Sequence, residues 1–268
     1  MSITVEGDDS SNDDGNTQIE GWLIEAVPSD DASGSAGGGS SGTPGRVMTR
    51  RRAQEALQPT IVYLHGNGGD RGVGHRVEMY KRLVAEVGAR VLAIDYRGFA
   101  DSPGNPTETS AVADARAAFE WCAERFDAKD VYLWGHSLGG GVATATATQL
   151  EGDGVVFGGL VLEATFTSLA AAMRAYPLAW LVYPFPSLLD LVESQLVDRF
   201  ESIKAIGRLR CKTQIMHGTS DLVVPYSHGT ALFAAAQRGR GAVDDDATND
   251  VTFTTFEGCS HINIWTAP

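Results

Sequence analysis

The sequence predicts an α/β protein: one mostly parallel central sheet with helices on both faces. Three observations lead there. Short apolar runs alternate along the chain with segments of helical spacing, the pattern of βαβ units. Those runs are continuous rather than alternating, as expected of strands covered on both sides. They also stop at Gly, His or Asp, at the carboxyl ends of strands, where open α/β sheets bind their ligands.

Taken in order, Gln18 to Val27 reads as a strand after a polar turn. Pro28 to Gly45 is rich in Ser, Gly and Pro and is expected to be a flexible loop, 28–45. Arg50, Arg51 and Arg52 follow, as a solvated helix start or a contact for an anionic surface. Ile61–Leu64 is a strand ending at His65-Gly66, and Arg76 to Val87 is helical through Val77, Tyr80, Val84 and Val87. Val91–Ile94 ends at Asp95-Tyr96-Arg97-Gly98. Ser110 to Phe126 is helical, with Val112, Ala115, Phe119, Cys122 and Phe126 on one side. Val131–Trp134 is a third strand, ending at Gly135, and a small-residue helix runs from Gly140 to Leu150. Val155–Leu162, Thr213–Met216 and Val251–Phe256 are further strands.

Composition bounds the rest. A chain of 268 residues, 43% hydrophobic and 21% charged, suits a single domain over 1–268 with a sizeable core. The net charge of −13 argues against nucleic acid as a partner. That charge is uneven: residues 1–31 hold nine acids and no base, and residues 244–250 hold four more acids. The remaining 21 acids balance 21 bases, so the body is neutral and the acidity belongs to solvated loops. Cys122, Cys211 and Cys259 fit neither a disulfide framework nor a zinc spacing, which points to a reducing, intracellular compartment. No secretory leader is recognisable. The longest uncharged apolar stretch, Ala175 to Leu189, has 15 residues and contains Pro177, Pro184 and Pro186. A membrane span needs roughly 20 residues, so none is expected in this chain.

The chemistry concentrates at Gly135-His136-Ser137-Leu138-Gly139, a G-x-S-x-G run directly after a strand and before a helix. The glycines allow a very tight turn that lifts the serine hydroxyl clear of the sheet. A serine needs a base. Of six histidines, His261 lies after the last strand, where a Ser…Asp…His order places that base. His136 sits inside the turn, and His65 and His217 each end a strand before glycine, which suits backbone-turn roles. His75 precedes a helix, and His228 lies in a helix after Val223-Val224-Pro225. The imidazole needs an acid to fix its tautomer. Asp221 after Thr213–Met216 is favoured, with Glu163 after Val155–Leu162 as the alternative. Donors for a developing oxyanion are expected from the backbone N–H groups of Leu138 and Asn67, the latter in His65-Gly66-Asn67-Gly68-Gly69. His65 and Asp70 also form an H-x-x-x-x-D string, read as coincidence. Asp95-Tyr96-Arg97-Gly98 with Asp101-Ser102 reads as structural bracing or, alternatively, as a substrate contact.

A cap-like lid insertion, about 168–205, separates Glu163 from Thr213. Its Tyr176, Trp180, Leu181, Val182, Tyr183, Phe185, Leu188 and Leu189 either pack as a lid core or line an acyl pocket and touch a bilayer. Trp180, Tyr183 and Phe185 are the candidate substrate contacts.

Leu64-His65-Gly66-Asn67, Gly74-His75-Arg76-Val77-Glu78, Asp95-Tyr96-Arg97-Gly98, Asp101-Ser102 and Trp134-Gly135-His136-Ser137-Leu138-Gly139 closely resemble the α/β-hydrolase domain-containing protein twelve group. That group comprises monoacylglycerol and lysophosphatidylserine lipases. The resemblance runs from Gln18 to His261 and is densest between Ile61 and Ala147. It implies an α/β-hydrolase fold and serine esterase chemistry on a lysophospholipid or monoacylglycerol. Ser137 would be the nucleophile, Asp221 the acid and His261 the base, with no metal or organic cofactor. It also implies endoplasmic reticulum membrane association in longer relatives, which carry an N-terminal membrane helix that this sequence lacks. Loop 28–45 looks inserted, and Gly140 stands where the group usually has threonine. Seven residues follow His261 in the chain of 268, so the fold's last helix is expected to be missing. Rival expectations are an acyl-protein thioesterase, a prolyl-type peptidase and a non-catalytic hydrolase-like binding protein.

Overall fold

A computed structural model describes residues 2–6, 16–26, 58–175, 196–241 and 250–267. Loop 28–45, the three arginines, the residues from Tyr176 to Leu189 with Trp180, Tyr183 and Phe185 among them, and most of the acidic run 244–250 lie outside the described residues. Of the expected lid insertion, the described parts are a helix, α4 (Leu169–Ala175), and the return through the short α5 (Ser202–Ala205).

The sheet is built from β1 (Ser2–Glu6), β2 (Asn16–Ile24), β3 (Thr60–Leu64), β4 (Arg90–Ile94), β5 (Val131–His136), β6 (Gly159–Glu163), β7 (Thr213–Gly218) and β8 (Val251–Phe256). Its spatial order is β1-β2-β4-β3-β5-β6-β7-β8. The two N-terminal strands run antiparallel, and the rest are parallel. The helices between them are α1 (Gly74–Arg82), α2 (Glu108–Ala123), α3 (Leu138–Gly152) and α6 (Ser227–Gly241). β3 and β4 are buried at every residue, so their sequences show continuous apolar runs rather than alternation. The pleat still sorts them. Val62, Leu64, Leu92 and Ile94 join α2, α3 and α6 in one core, whereas Ile61, Tyr63, Val91 and Ala93 meet Met79, Tyr80 and Leu83 in a second.

The strands start and stop close to where the apolar runs do, with two exceptions. β1 escapes notice because it is short and flanked by acids; only its pairing with β2 and the burial of Ile3 make it a strand. The run Val155–Leu162 is a strand only from Gly159. The Val155 N–H closes the end of α3 on the Leu150 carbonyl at 2.9 Å, and Val156 is exposed. Phe157 instead plugs the core from the connection, its ring 5.9 Å from Phe119 and nearly perpendicular to it. The helix expected over Arg76–Val87 begins earlier, includes His75, and passes into a wide turn at Leu83–Val87 that ends on Gly88 at φ +70°. Its inward face is Arg76, Met79, Tyr80 and Leu83, so the spacing is helical but the buried stripe is rotated from the expected valines.

The segment after β4 is a brace. Asp95 accepts hydrogen bonds from the Arg71 backbone (2.7 Å) and guanidinium, and the Ser102 hydroxyl donates to the Asp95 carbonyl at 2.8 Å. Arg97 holds buried Asp114 of α2 through its Nε and its backbone N–H, both at 2.8 Å. These contacts fix the loops that follow the carboxyl ends of β3 and β4. Truncating the ring that joins α2 to the connection before β6, Phe119→Ala, is expected to cost about 3–5 kcal/mol. Urea denaturation of the two proteins measures it.

Candidate active site

The carboxyl end of β5 and the first turn of α3 form a sharp corner at Ser137, with φ 54° and ψ −114°. A side-chain-bearing residue at positive φ costs of order 1–3 kcal/mol and must be held by its surroundings. Here the Ser137 N–H donates to the Glu163 carbonyl at 2.9 Å. The Ser137 carbonyl accepts from the Thr165 hydroxyl at 2.7 Å and from the Gly140 N–H at 3.0 Å. The corner is passable because of its glycines. A Cβ at Gly135 would lie 2.1 Å from the Gly139 carbonyl oxygen, and one at Gly139 would lie 1.9 Å from that of Leu64. Gly140 has a local reason too. Thr165 fills the space where a side chain would stand, 2.3 Å from the would-be Cβ.

The other two residues come from the far side of the sheet. His261 sits after β8 and places Nε2 3.0 Å from the Ser137 hydroxyl and Nδ1 2.8 Å from Asp221 Oδ2. Asp221 follows β7. Its Oδ1 accepts the N–H groups of Val223 and Val224, both at 2.8 Å, so one carboxylate oxygen shapes the turn while the other faces His261. His217 Nε2 lies 3.3 Å from that same Oδ2. Burial alone would raise the Asp221 pKa. Hydrogen bonds from His217 and His261, with the Val224 amide, outweigh it and hold the carboxyl well below its usual range. Gly218 lets the turns dock, since a Cβ there would lie 2.3 Å from the Cys259 carbonyl oxygen. His136 steadies the His261 backbone, with Nε2 2.9 Å from the His261 carbonyl. Burial pushes His136 down to about 3, so it is neutral near pH 7 and must carry its proton on Nε2 to donate.

The structure brings Ser137, Asp221 and His261 together and leaves Glu163 out. The Glu163 carboxyl accepts the Trp134 indole N–H at 2.8 Å, and burial raises its pKa. The loop after β3 reaches Ser137, since a Cβ at Gly66 would lie 3.2 Å from the Ser137 Cβ. Leu138 is the first residue of α3, and its N–H therefore has no intrahelical acceptor. His65 is fully buried between the Gly66 carbonyl and Asp95, and Asp70 caps Gly72, so the H-x-x-x-x-D string is divided between two structural tasks. Sequence reasoning missed Thr165, the carboxylate contact of His217, and Arg76. His217 carried a usable signal, its place at a strand's carboxyl end. Thr165 and Arg76 carried none, because their partners are backbone atoms.

The family model described as the alpha/beta hydrolase fold matches residues 59–182. The chain has the α/β-hydrolase fold. Among proteins of that fold it is similar to the lysophosphatidylserine lipase group. It is 33% identical over 218 residues to the lysophosphatidylserine lipase ABHD12 of Danio rerio, covering 80% of this chain and 56% of that protein. It is 39% identical over 182 residues to protein ABHD12B of Homo sapiens, covering 67% of this chain and 50% of that protein. The chain thus spans about half the length of the curated relatives it matches. Among solved structures, the Pyrococcus furiosus esterase Pf2001 superposes with TM-score 0.64 at 15% identity over 99% of this chain and 85% of that one. Est1E of Butyrivibrio proteoclasticus gives 0.60 at 18% identity over 98% and 91%. Both show the shared fold.

Two outcomes follow from the packing and charge of the site. Gly140→Thr must displace Thr165 from the Ser137 carbonyl and is expected to destabilise by about 1–3 kcal/mol. Adding Thr165→Ala should recover at least half of that in thermal denaturation. Because the Asp221 pKa is depressed, its ionisation contributes stability that is complete above the ordinary carboxylate value, about 3.9. That contribution is lost as pH falls through the folded value. Asp221→Asn should therefore cost about 1–3 kcal/mol at neutral pH. The gap in denaturation midpoint between variant and wild type should close as the pH drops below the ordinary carboxylate range.

Proposed function

We propose that the protein is a serine hydrolase that cleaves the acyl ester of a lysophospholipid or monoacylglycerol, for example lysophosphatidylserine. The observation that carries this reading is the hydrogen-bonded row Ser137 Oγ–His261 Nε2–His261 Nδ1–Asp221 Oδ2, at 3.0 and 2.8 Å, on a strained strand-to-helix corner. His261 takes the proton of Ser137 as the hydroxyl attacks the ester carbonyl. Asp221, held ionised, keeps the Nδ1 proton on His261 and stabilises the imidazolium that forms. The N–H groups of Asn67 and Leu138 receive the oxyanion. His261 then protonates the departing alcohol, and a water activated by the same imidazole releases the fatty acid.

The substrate class draws support from two sides. The Danio rerio relative described above is named a lysophosphatidylserine lipase. Leu222, Val223 and Ile262, the chain neighbours of Asp221 and His261, are large apolar residues left 78%, 43% and 49% exposed. Exposed apolar side chains of that size beside a site suit an acyl chain.

A fluorophosphonate probe tests the chemistry. Wild type should label, and Ser137→Ala should not. Ser137→Ala, His261→Ala and Asp221→Asn should each lower kcat on a short ester by about 10⁴-fold or more. A folded wild type that takes no label and hydrolyses no ester would sink the proposal. Faster turnover of acyl thioesters than of lysophospholipids and monoacylglycerols would move the substrate to acylated proteins.

A further inference from the structure

Arg76 lies inside the protein, 2% exposed, in the first turn of α1. Among the described residues no carboxylate pairs with it, and its Nε has no partner. Its guanidinium serves one loop instead. Nη2 donates to the carbonyls of Gly66 (3.3 Å) and Gly68 (2.7 Å), and Nη1 donates to that of Asp70. A buried cation is costly. This one spends its donors on three alternate carbonyls of the loop that abuts Ser137.

Peptide geometry turns that contact into a direction. The peptide joining Gly66 to Asn67 is trans and planar, so its C=O and N–H point to opposite sides. With the Gly66 carbonyl drawn inward by Arg76 and faced by His65 Nδ1 at 2.8 Å, the Asn67 N–H points outward. Asn67 itself is exposed, and Gly66 abuts the corner at Ser137. Three glycines in the loop would otherwise let this peptide rotate at little cost. A flipped peptide would present a carbonyl oxygen to the developing oxyanion in place of a donor.

We propose that Arg76 is the positioning residue of the oxyanion hole: by holding the carbonyls of Gly66, Gly68 and Asp70 it aims the Asn67 amide at the reacting carbonyl. This rests on the serine-hydrolase reading above. Arg76 touches no substrate. Its effect belongs to the tetrahedral stage, where an oxyanion exists, and not to ground-state binding.

The test compares wild type with Arg76→Gln and Arg76→Lys, each checked for folding by circular dichroism. In Arg76→Gln, kcat on a short ester should fall about 10²- to 10³-fold, the effect of losing one oxyanion donor. KM should change by less than about threefold, as for an interaction made only in the transition state. A trifluoromethyl ketone that forms a tetrahedral adduct with Ser137 should lose affinity in step. The pH profile of kcat/KM should keep its shape, because neither His261 nor Asp221 is touched. Arg76→Lys should recover part of the loss, since an ammonium can hold one carbonyl but lacks the fork that holds several. A folded variant with near wild-type kcat, or a loss confined to KM, overturns the proposal. So does a failure of both variants to fold, which would make Arg76 a strut of the core. Wild type that neither labels with fluorophosphonate nor hydrolyses esters instead overturns the hydrolase reading, and this proposal with it.

Discussion

At the carboxyl end of the sheet, the backbone of α3 lies directly against the backbone of β3. No atom larger than hydrogen fits on Gly139, because the Leu64 carbonyl oxygen occupies the place of its Cβ. That contact brings the end of β3, and the glycine loop beyond it, to the corner at Ser137. It also presses the helix start back toward β5, where Gly135 must lack a side chain for the same reason. The strain of a serine at positive φ is therefore not a local accident. It is the residue of two backbones packed as closely as backbones can be, with Glu163 and Thr165 holding the corner from the neighbouring strand.

Around this contact the interior is unusually polar, and the polarity is ordered. Asp221 is surrounded by donors: His217, His261 and two backbone amides. Arg76 is surrounded by acceptors, all of them carbonyls of one loop. Asp95 is held by Arg71 from one side and faces His65 on the other. Each of these three buried charges thus ties down a loop rather than a neighbouring helix. Such loops are where an α/β sheet carries its chemistry, and where an unheld backbone would move most. The helices are secured mainly by their apolar faces, with the Arg97–Asp114 pair on α2 as a polar exception.

How much of this could be read from residues alone depends on what each residue's partner is. The strands β3 and β4 were legible because burial on both faces leaves a continuous apolar run. The juxtaposition of Ser137, Asp221 and His261 was legible because each follows a strand, in the chain order usual for this fold. The choice of Asp221 over Glu163 agrees with the hydrogen bonds, and the reason lies in neighbours no pattern displays: Trp134 takes up the Glu163 carboxyl. The strand expected from Val155 failed at its first residues because apolar residues can serve a connection as well as a strand, as Phe157 does. Arg76 was invisible for a deeper reason. An arginine within a helix reads as solvent-facing, and only its carbonyl partners explain why it points inward.

His261 shows how the parts become one site. It stands 124 residues from Ser137 and 40 from Asp221, on a loop that contributes little packing of its own. Three contacts hold it in place. His136 grips its carbonyl, Asp221 its ring, and the Ser220 N–H reaches the Cys259 carbonyl at 3.0 Å just before it. Asn263 closes the turn by accepting the Ser260 N–H at 2.6 Å. Of these, only the last is local. The rest reach across from β5 and from the loop after β7, so the imidazole is correctly placed only when the sheet has assembled its order. An imidazole that follows the last strand and is fixed by the strands before it makes the row Ser137–His261–Asp221 a property of the whole sheet, not of any one segment.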